Sequence, residues 1–401
     1  MATVAETSER TDDRRYDDRR YMEEALALAA RAAGRTSPNP MVGALVVAGG
    51  QVVGRGFHAR AGEPHAELLA LREAGARARG ATVYVTLEPC AHQGRTGPCA
   101  DALIAAGVRR VVAAMVDPDP RVRGRGLARL RAAGVEVEVG LLEDRARRLN
   151  EAFVKHRLTG LPFVTLKWAM SLDGRIAGAD GRPVAITGEA ARRYAHGLRD
   201  THDAVLVGVG TVLADDPLLT CRLPGGRNPL RVVVDSRLRT PSTARVVATV
   251  GAAPTLVATT MAAPPERVAA LRHAGVEVLV QEHAAPRVAL RPLLEDLGRR
   301  GVLSVLVEGG ATVHAAFLAA SLADKVVALV APVLIGQTGA PTPVAGLPAP
   351  ATDTGPVALP RLRDVRVIAD LDGDVALEGY LPEVAGRAGI GDGDGRRGGT
   401  A

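Results

Sequence analysis

Residues 87–99 read LEPCAHQGRTGPC and hold two of the three cysteines in a chain of 401 residues. Each of the two directly follows a proline, and eight residues lie between them. Upstream stands EPHAE, residues 63–67. One imidazole (His65) and two thiolates (Cys90 and Cys99) make a zinc ligand set that leaves a fourth position open, and two thiolates balance the charge of the ion. Glu67, two residues beyond the histidine, can reach a metal-activated water without ligating the metal, take its proton and hand it to a leaving amine. His-x-Glu followed by Pro-Cys and a second Cys is the arrangement of zinc nucleobase deaminases. A purely structural zinc normally takes four protein ligands, and no fourth is evident. Cys221, in LLTCR, reads as an ordinary half-buried thiol.

Such ligands need rigid supports, and the flanking pattern supplies them. A helix is expected from Tyr21 to Ala33, with Gly34 as its stop. Strands Val42–Val47 and Gln51–Phe57 flank AGG, a hairpin signal. Helices Ala66–Arg79, Ala100–Ala106, Gly124–Ala133 and Glu143–Leu158 then alternate with strands Thr82–Leu87, Arg109–Val116 and Val135–Val139. Continuous apolar strands between amphipathic helices predict a sheet covered on both faces. His65 and Cys99 then fall where a loop meets a helix N-terminus, whose dipole favours thiolate over thiol. TGLP (159–162) reads as a domain boundary, and a second alternation follows it. Strands are expected near 163–169, 204–207, 230–234, 255–258, 276–280, 304–307 and 325–331, with helices near 189–198, 265–274, 291–300 and 312–320. Residues 339–360 form a Pro/Ala/Gly loop too long to be idle packing. No internal repeat is visible.

Nearly half of the residues are apolar, yet aromatics are only 2%, so the cores must be aliphatic. The formal charge of +6 allows an anionic partner, either nucleic acid or a phosphorylated small molecule. Three cysteines cannot build a disulfide framework, and neither a signal peptide nor a membrane-crossing run is seen, so a cytoplasmic protein is expected. Residues 1–20 alternate acids and arginines and are expected to be a disordered leader; residues 384–401, rich in Gly, Asp and Arg, a disordered tail.

The stretches TSPNPMVGALVV, GFHARAGEPHAELLAL, GATVYVTLEPCAHQGRTGPCADALIAAGVRRVV and DPDPRVRGRGLARLRAAGVEVEVG together resemble the deaminase half of the bifunctional deaminase/reductase family of riboflavin biosynthesis, the RibD type. In that family the cysteines stand eight residues apart, whereas relatives acting on transfer RNA or free cytidine generally have two between theirs. The resemblance implies that the longer loop brings His92 and Arg95 to the ribose phosphate of the substrate. An arginine fork beside an imidazole suits a phosphate, although a solvated loop is the bland alternative. Asn39 either reads the pyrimidine edge or belongs to turn chemistry; His58 either lines the pocket or packs. Gly97 departs from the Pro usual at that place in the family, which loosens the loop without touching a ligand.

The likeness continues through LKWAMSLDGRIAGADG, ITGEAARRYAHGLRDTHDAVLVGVGTVLADDPLLTCR, PLRVVVDSRLRTP and VLVEGGATVHAAFLAASLADKVVALVAPVLIG. It implies a cytidine-deaminase-like three-layer α/β/α domain (21–158) followed by a dihydrofolate-reductase-like α/β domain (162–383). The first would use zinc to deaminate 2,5-diamino-6-(5-phosphoribosylamino)pyrimidin-4(3H)-one. The second would use NADPH to reduce the ribosyl group of 5-amino-6-(5-phosphoribosylamino)uracil to ribityl. Implied substrate contacts are Pro183, Arg199, Leu219, Arg222 and Glu308. Implied cofactor contacts are Lys167, Ala169, Ala185, Thr211, Asp215, Ser236, Gly309, Gly310, Ala311 and Thr312. Independently, VEGGATVHA (307–315) reads as strand, glycine turn and helix, which lets a phosphate approach backbone and helix N–H groups. GVGTVLADDP (208–217) reads as a second glycine turn ending in paired acids, where Asp215 either meets the open-chain sugar or caps a helix. Ser171, Asp173 and Thr187 look positional.

Ala185 stands where the family usually carries Trp. That leaves open a deaminase whose second domain is non-catalytic or altered in specificity. A transfer-RNA adenosine deaminase is the other alternative, opposed by the cysteine spacing and by the lack of stacking aromatics or a basic stripe. The expected partner is therefore a phosphorylated pyrimidine, with neither nucleic acid nor membrane, and a homo-oligomer is left open.

Overall fold

The computed structural model describes residues 3–91, 97–182, 184–282, 286–347 and 361–382. It divides into two units, residues 1–159 and 160–401.

The first unit runs α1 (Thr3–Ala30), β1 (Gly43–Ala48), β2 (Gln51–Phe57), α2 (Ala66–Ala74), β3 (Thr82–Val85), α3 (Cys99–Ala105), β4 (Arg110–Ala113), α4 (Arg125–Ala132), β5 (Glu136–Val139), α5 (Glu143–Leu149) and α6 (Glu151–Thr159). Its sheet has the order β2-β1-β3-β4-β5. β1 pairs antiparallel with β2 and β3, while β3, β4 and β5 are parallel. Side chains alternate between two cores. Val46, Val83 and Val111 pack on one face with Ala66 and Ala70 of α2, Leu103 of α3 and Leu130 of α4. Leu45, Tyr84 and Val112 pack on the other with Met22 and Ala25 of α1, Ala146 of α5 and Val154 of α6. Three layers result.

α2 lies directly on β2. A Cβ on Gly54 would stand 2.1 Å from the Ala70 carbonyl oxygen, and one on Gly56 as close to that of Ala66. Only glycine permits this approach, and it fixes the height of the helix that carries Glu67.

The expected disordered leader is corrected by the structure: α1 begins at Thr3 and its Asp18 is buried. Arg110, 2% exposed in β4, donates to both Asp18 oxygens at 2.9 and 2.7 Å, and the Tyr84 hydroxyl donates to the same carboxylate. An arginine buried in a sheet must have its charge met, and Asp18 of α1 and Glu138 of β5, each at 2.7 Å, meet it. The expected helix 143–158 is two helices broken at Asn150, whose amide bonds Met41 N–H and C=O at 2.8 and 2.9 Å.

The second unit runs β6 (Phe163–Ser171), α7 (Glu189–Thr201), β7 (Ala204–Gly208), α8 (Val209–Asp215), β8 (Leu230–Val234), α9 (Arg245–Ala248), β9 (Thr255–Thr260), α10 (Pro265–His273), β10 (Glu277–Gln281), α11 (Leu290–Arg299), β11 (Ser304–Gly309), α12 (Ala311–Ala319), β12 (Lys325–Ala331), β13 (Arg363–Leu371) and β14 (Asp374–Tyr380). Its nine-stranded sheet has the order β10-β9-β8-β7-β11-β6-β12-β14-β13. All pairs are parallel except β12 with β14 and β14 with β13. Leucines of α11 and Phe317 of α12 cover one face, while Val212 of α8, Val246 of α9 and Leu271 of α10 cover the other. Three features differ from expectation: residues 209–215 are a helix rather than a turn, and neither the short helix α9 nor the β13–β14 hairpin was foreseen. The expected tail, 384–401, lies outside the described residues, as does part of the long 339–360 loop.

Candidate active sites

His65 is the N-cap residue of α2, in extended backbone, and Cys99 is the first residue of α3. Cys90 follows the short segment that leaves β3. The three donor atoms lie within 4.8 Å of one another. His65 Nδ1 stands 3.2 Å from Cys99 Sγ and 3.6 Å from Cys90 Sγ, and Cys99 N–H points at Cys90 Sγ from 3.3 Å. The hydrogen bond from the Cys99 thiol, aided by His65, pulls Cys90 down to about 4, while that same bond and burial push Cys99 far up. A divalent ion would hold both sulfurs as thiolates beside the imidazole, so the donor set fits zinc. Glu67, 3% exposed on the first turn of α2, has its carboxyl raised by burial.

These residues open into a cavity of about 330 Å3 whose lining includes Asn39, His58, Glu88, Asp117, Asp119, Arg121, Phe153 and Arg157. His58 is buried and its pKa is lowered by desolvation. Its Nδ1 lies 3.2 Å from the Pro64 carbonyl, so that nitrogen carries the proton. Nε2 then accepts from Asn39 Nδ2 at 3.1 Å, which leaves the Asn39 carbonyl oxygen available to a pyrimidine N–H. His92 and Arg95 lie outside the described residues.

Several of these groups were not singled out from the sequence. Glu88, 5% exposed, accepts three backbone N–H groups, from Asp117 at 3.1 Å, Gly124 at 2.8 Å and Gly126 at 2.9 Å. It stitches the loop after β4 to the segment that carries Cys90. A Cβ on Gly126 would meet the Pro89 carbonyl oxygen at 1.8 Å. Arg121 pairs with Asp119 at 2.6 Å and holds that carboxyl down at about 2. The signal available was positional: DPDP follows a parallel strand beside β3, so both loops leave the same sheet edge.

In the second unit Gly309, Gly310 and Thr211 lie together where β7 and β11 are neighbours and the following helices α8 and α12 cover opposite faces. A Cβ on Gly309 would lie 2.8 Å from Thr211 Oγ1 and 3.0 Å from Val207 Cγ1. Gly310 has a φ of 81° and caps α12, which begins at Ala311 and Thr312. This is a cradle of backbone suited to a dinucleotide phosphate. Glu308 lies at its floor. Arg199 grips it with two bonds of 2.6 and 2.8 Å, Lys167 Nζ stands 3.6 Å away, and Arg199 also donates to the Thr220 carbonyl at 3.1 Å. Burial pushes the Glu308 carboxyl up, but the Arg199 and Lys167 charges outweigh it and hold it at about 2.

Leu219, buried with a φ of 54°, and the exposed Arg222 lie on the loop after α8. Ala169 sits in β6 beside Leu329 of β12, and Ala185 is exposed in a loop. Asp215, at the end of α8, has its carboxyl raised by burial. Ser236 follows β8, and its hydroxyl accepts Val288 N–H at 3.0 Å. Asp173 accepts Ser171 Oγ–H and the N–H groups of Ile335 and Gly336. The described start of the long loop is tied down: Ile176 N–H bonds the Pro341 carbonyl at 3.0 Å, and His314 Nδ1 that of Pro343 at 2.9 Å. Pro183 lies outside the described residues.

The fold and donor set define a zinc-type nucleobase deaminase domain followed by a reductase-like α/β domain. Comparison with known proteins agrees. Residues 15–115 match the cytidine and deoxycytidylate deaminase zinc-binding region, and residues 162–375 the RibD C-terminal domain. The riboflavin biosynthesis protein RibD of Bacillus amyloliquefaciens is 46% identical over 81% of this chain and 87% of its own length. That of Escherichia coli K12 is 46% identical over 79% and 88%. Among solved structures, Acinetobacter baumannii RibD superposes with a TM-score of 0.80 at 40% identity, covering 92% of this chain and 99% of its own. A diaminohydroxyphosphoribosylaminopyrimidine deaminase/5-amino-6-(5-phosphoribosylamino)uracil reductase from Thermotoga maritima reaches 0.79 at 35%, with the same coverage.

The chain belongs to the RibD family. It is a bifunctional enzyme of riboflavin biosynthesis, a deaminase and a reductase, in which a cytidine-deaminase-like domain precedes a dihydrofolate-reductase-like one. No helix among the described residues is long and apolar enough to cross a membrane.

Proposed function

We propose that residues 21–158 carry the deamination of 2,5-diamino-6-(5-phosphoribosylamino)pyrimidin-4(3H)-one, with His65, Cys90 and Cys99 as zinc ligands and Glu67 as the proton-transfer group. The convergence of the three donors beside the buried Glu67 is the observation that carries this reading. When bound there, zinc supplies a Lewis acid that makes water nucleophilic at neutral pH. Glu67, buried on the first turn of α2 with its carboxyl raised by burial, would take the water's proton and pass it to the departing amine. Asn39, oriented by neutral His58, accepts from the ring edge and sets the amidine carbon toward the metal side.

Residues 162–383 would then reduce the deaminated product. The cradle at Gly309 and Gly310 and the start of α12 would hold the phosphates of NADPH, which supplies the hydride. Lys167 and the Arg199–Glu308 pair form the charged floor beside it. Asp215, at the end of α8, would serve as the hydrogen-bond partner of the sugar oxygen. The substrate is a free phosphorylated pyrimidine, since the recognition groups line a cavity rather than an open basic surface. A cytoplasmic setting goes with three unpaired cysteines.

The test is zinc analysis combined with ultraviolet monitoring of both steps on the phosphorylated diaminopyrimidinone. Zinc at one per chain, ammonia release and then NADPH oxidation are expected. No oxidation of saturating NADPH by the deaminated intermediate would remove the reductase assignment, and deamination by a zinc-free enzyme would remove the first.

A further inference from the structure

Two guanidinium groups line the deaminase cavity, and they are not equivalent. Arg121 is spent on Asp119, with contacts of 2.9 and 2.6 Å to its two oxygens. Its side chain is 80% exposed. Arg157, in the last turn of α6, has no carboxylate within 4.0 Å among the described residues. Its Nη2 makes one long bond, 3.4 Å, to the Pro38 carbonyl. Its guanidinium carbon sits 5.0 Å from the centre of the Phe153 ring, and that ring is buried in the cavity wall. The ring lies against the guanidinium while most of its five N–H donors make no bond among the described residues. Its charge reaches the cavity: it opposes the rise that burial imposes on Asp117 and adds to the lowering of Asp119 by Arg121.

A half-buried guanidinium against an aromatic ring, with donors to spare and no ion-paired carboxylate among the described residues, is a receptor for an oxyanion. Of the nearby acids, Asp119 is paired with Arg121, and Asp117 accepts Asp119 N–H at 2.8 Å and forms no ion pair with Arg157 within 4.0 Å. The deaminase substrate carries a single strong anion, the ribose 5-phosphate. We propose that Arg157 is a specificity-determining residue of the deaminase site that binds this phosphate with its free N–H donors. The inference rests on the deaminase reading above. It makes α6, the last helix of the unit, part of the substrate site.

The test compares the phosphorylated substrate with its dephosphorylated ribosylamino counterpart in zinc-loaded wild-type enzyme, Arg157→Met and Arg157→Lys. Methionine keeps an apolar stem against Phe153 and removes the donors. Charge-assisted bonds of this kind correspond to roughly 10- to 100-fold in affinity. Arg157→Met should raise KM for the phosphorylated substrate by about that factor, with kcat nearly unchanged and KM for the dephosphorylated compound unmoved. Arg157→Lys should recover part of the loss. If Arg157 only props Pro38 and the neighbouring Asn39, both substrates should suffer alike, and the proposal is overturned. Equal KM values for the two substrates in the wild type would also overturn it while leaving the deaminase reading intact. Failure of wild type to deaminate either compound would remove the deaminase reading itself.

Discussion

Replacing Glu88 by glutamine isolates what a buried carboxylate does beside a metal site without ligating the metal. The native side chain accepts Asp117 and Gly124 N–H on one oxygen and Gly126 N–H on the other. Glutamine keeps one acceptor oxygen and turns an NH2 toward the remaining donors. In its better orientation the amide oxygen serves Asp117 and Gly124, and Gly126 N–H is left facing a donor inside the protein. Losing one hydrogen bond to a charged acceptor costs about 1.5–3 kcal/mol, and the weakening of the other two adds to it. About 3 kcal/mol is the expected total. For a domain of this size that lowers the melting temperature by roughly 6–12 °C.

The same loss loosens the loop that presents Asp117, Asp119 and Arg121, because Glu88 is what ties it to the Cys90 segment. Deamination kcat/KM should therefore fall about 10- to 100-fold, while zinc stoichiometry at saturating metal and NADPH oxidation by the second unit are kept. Differential scanning calorimetry, metal analysis and the two separate rate assays read these outcomes. A Glu88→Gln enzyme with wild-type melting and wild-type deamination would refute the reasoning. So would loss of zinc with an unchanged melting temperature, which would make Glu88 a ligand-side group rather than a loop tether.

Glu67→Gln should keep zinc and the fold yet reduce ammonia release by at least about 100-fold, since the amide can neither take nor give the proton; metal analysis beside an ammonia assay checks it. Cys90→Ser and Cys99→Ser should each lose zinc and deamination while hydride transfer survives, because the reductase core is built from its own leucines and valines; intact deamination in either would break the ligand assignment. Glu308, held at about 2 against burial by Arg199 and Lys167, has a folded pKa below the unfolded value near about 4.3. Its contribution is complete above the unfolded value and is lost as pH falls toward about 2. Acid unfolding of the second unit followed by circular dichroism should show this, and Glu308→Gln should flatten the profile between those limits.

The zinc trio was legible because each ligand sits next to a local signal. His65 precedes an amphipathic helix, Cys99 opens another, and a proline stands before each cysteine. Helix α8 was not legible, because Gly208 and Gly210 flank Val209 and imitate a turn. Burial of Val209 and Val212 against the sheet overrides the poor helix propensity of glycine there. The β13–β14 hairpin was obscured by its edge position: Val365 and Val367 are 57% and 63% exposed, so the strand lacks a core-facing period. Its Asp372–Gly373 turn was the signal that went unused.

Long-range charge pairing was the most hidden feature. Asp18 lies among alternating acids and arginines, a composition that predicts solvation, and nothing nearby distinguishes it. Its partner Arg110 lies 92 residues away at the start of β4. Glu138 of the neighbouring strand β5 also meets that arginine, at 2.7 Å, and Asp18 brings the buried half of the pairing from α1. The cavity obeys the same logic. Glu88, Asp119 and Arg121 look like surface charges one at a time, and only the fold shows which are consumed by neighbours and which, like Arg157, retain donors for a ligand.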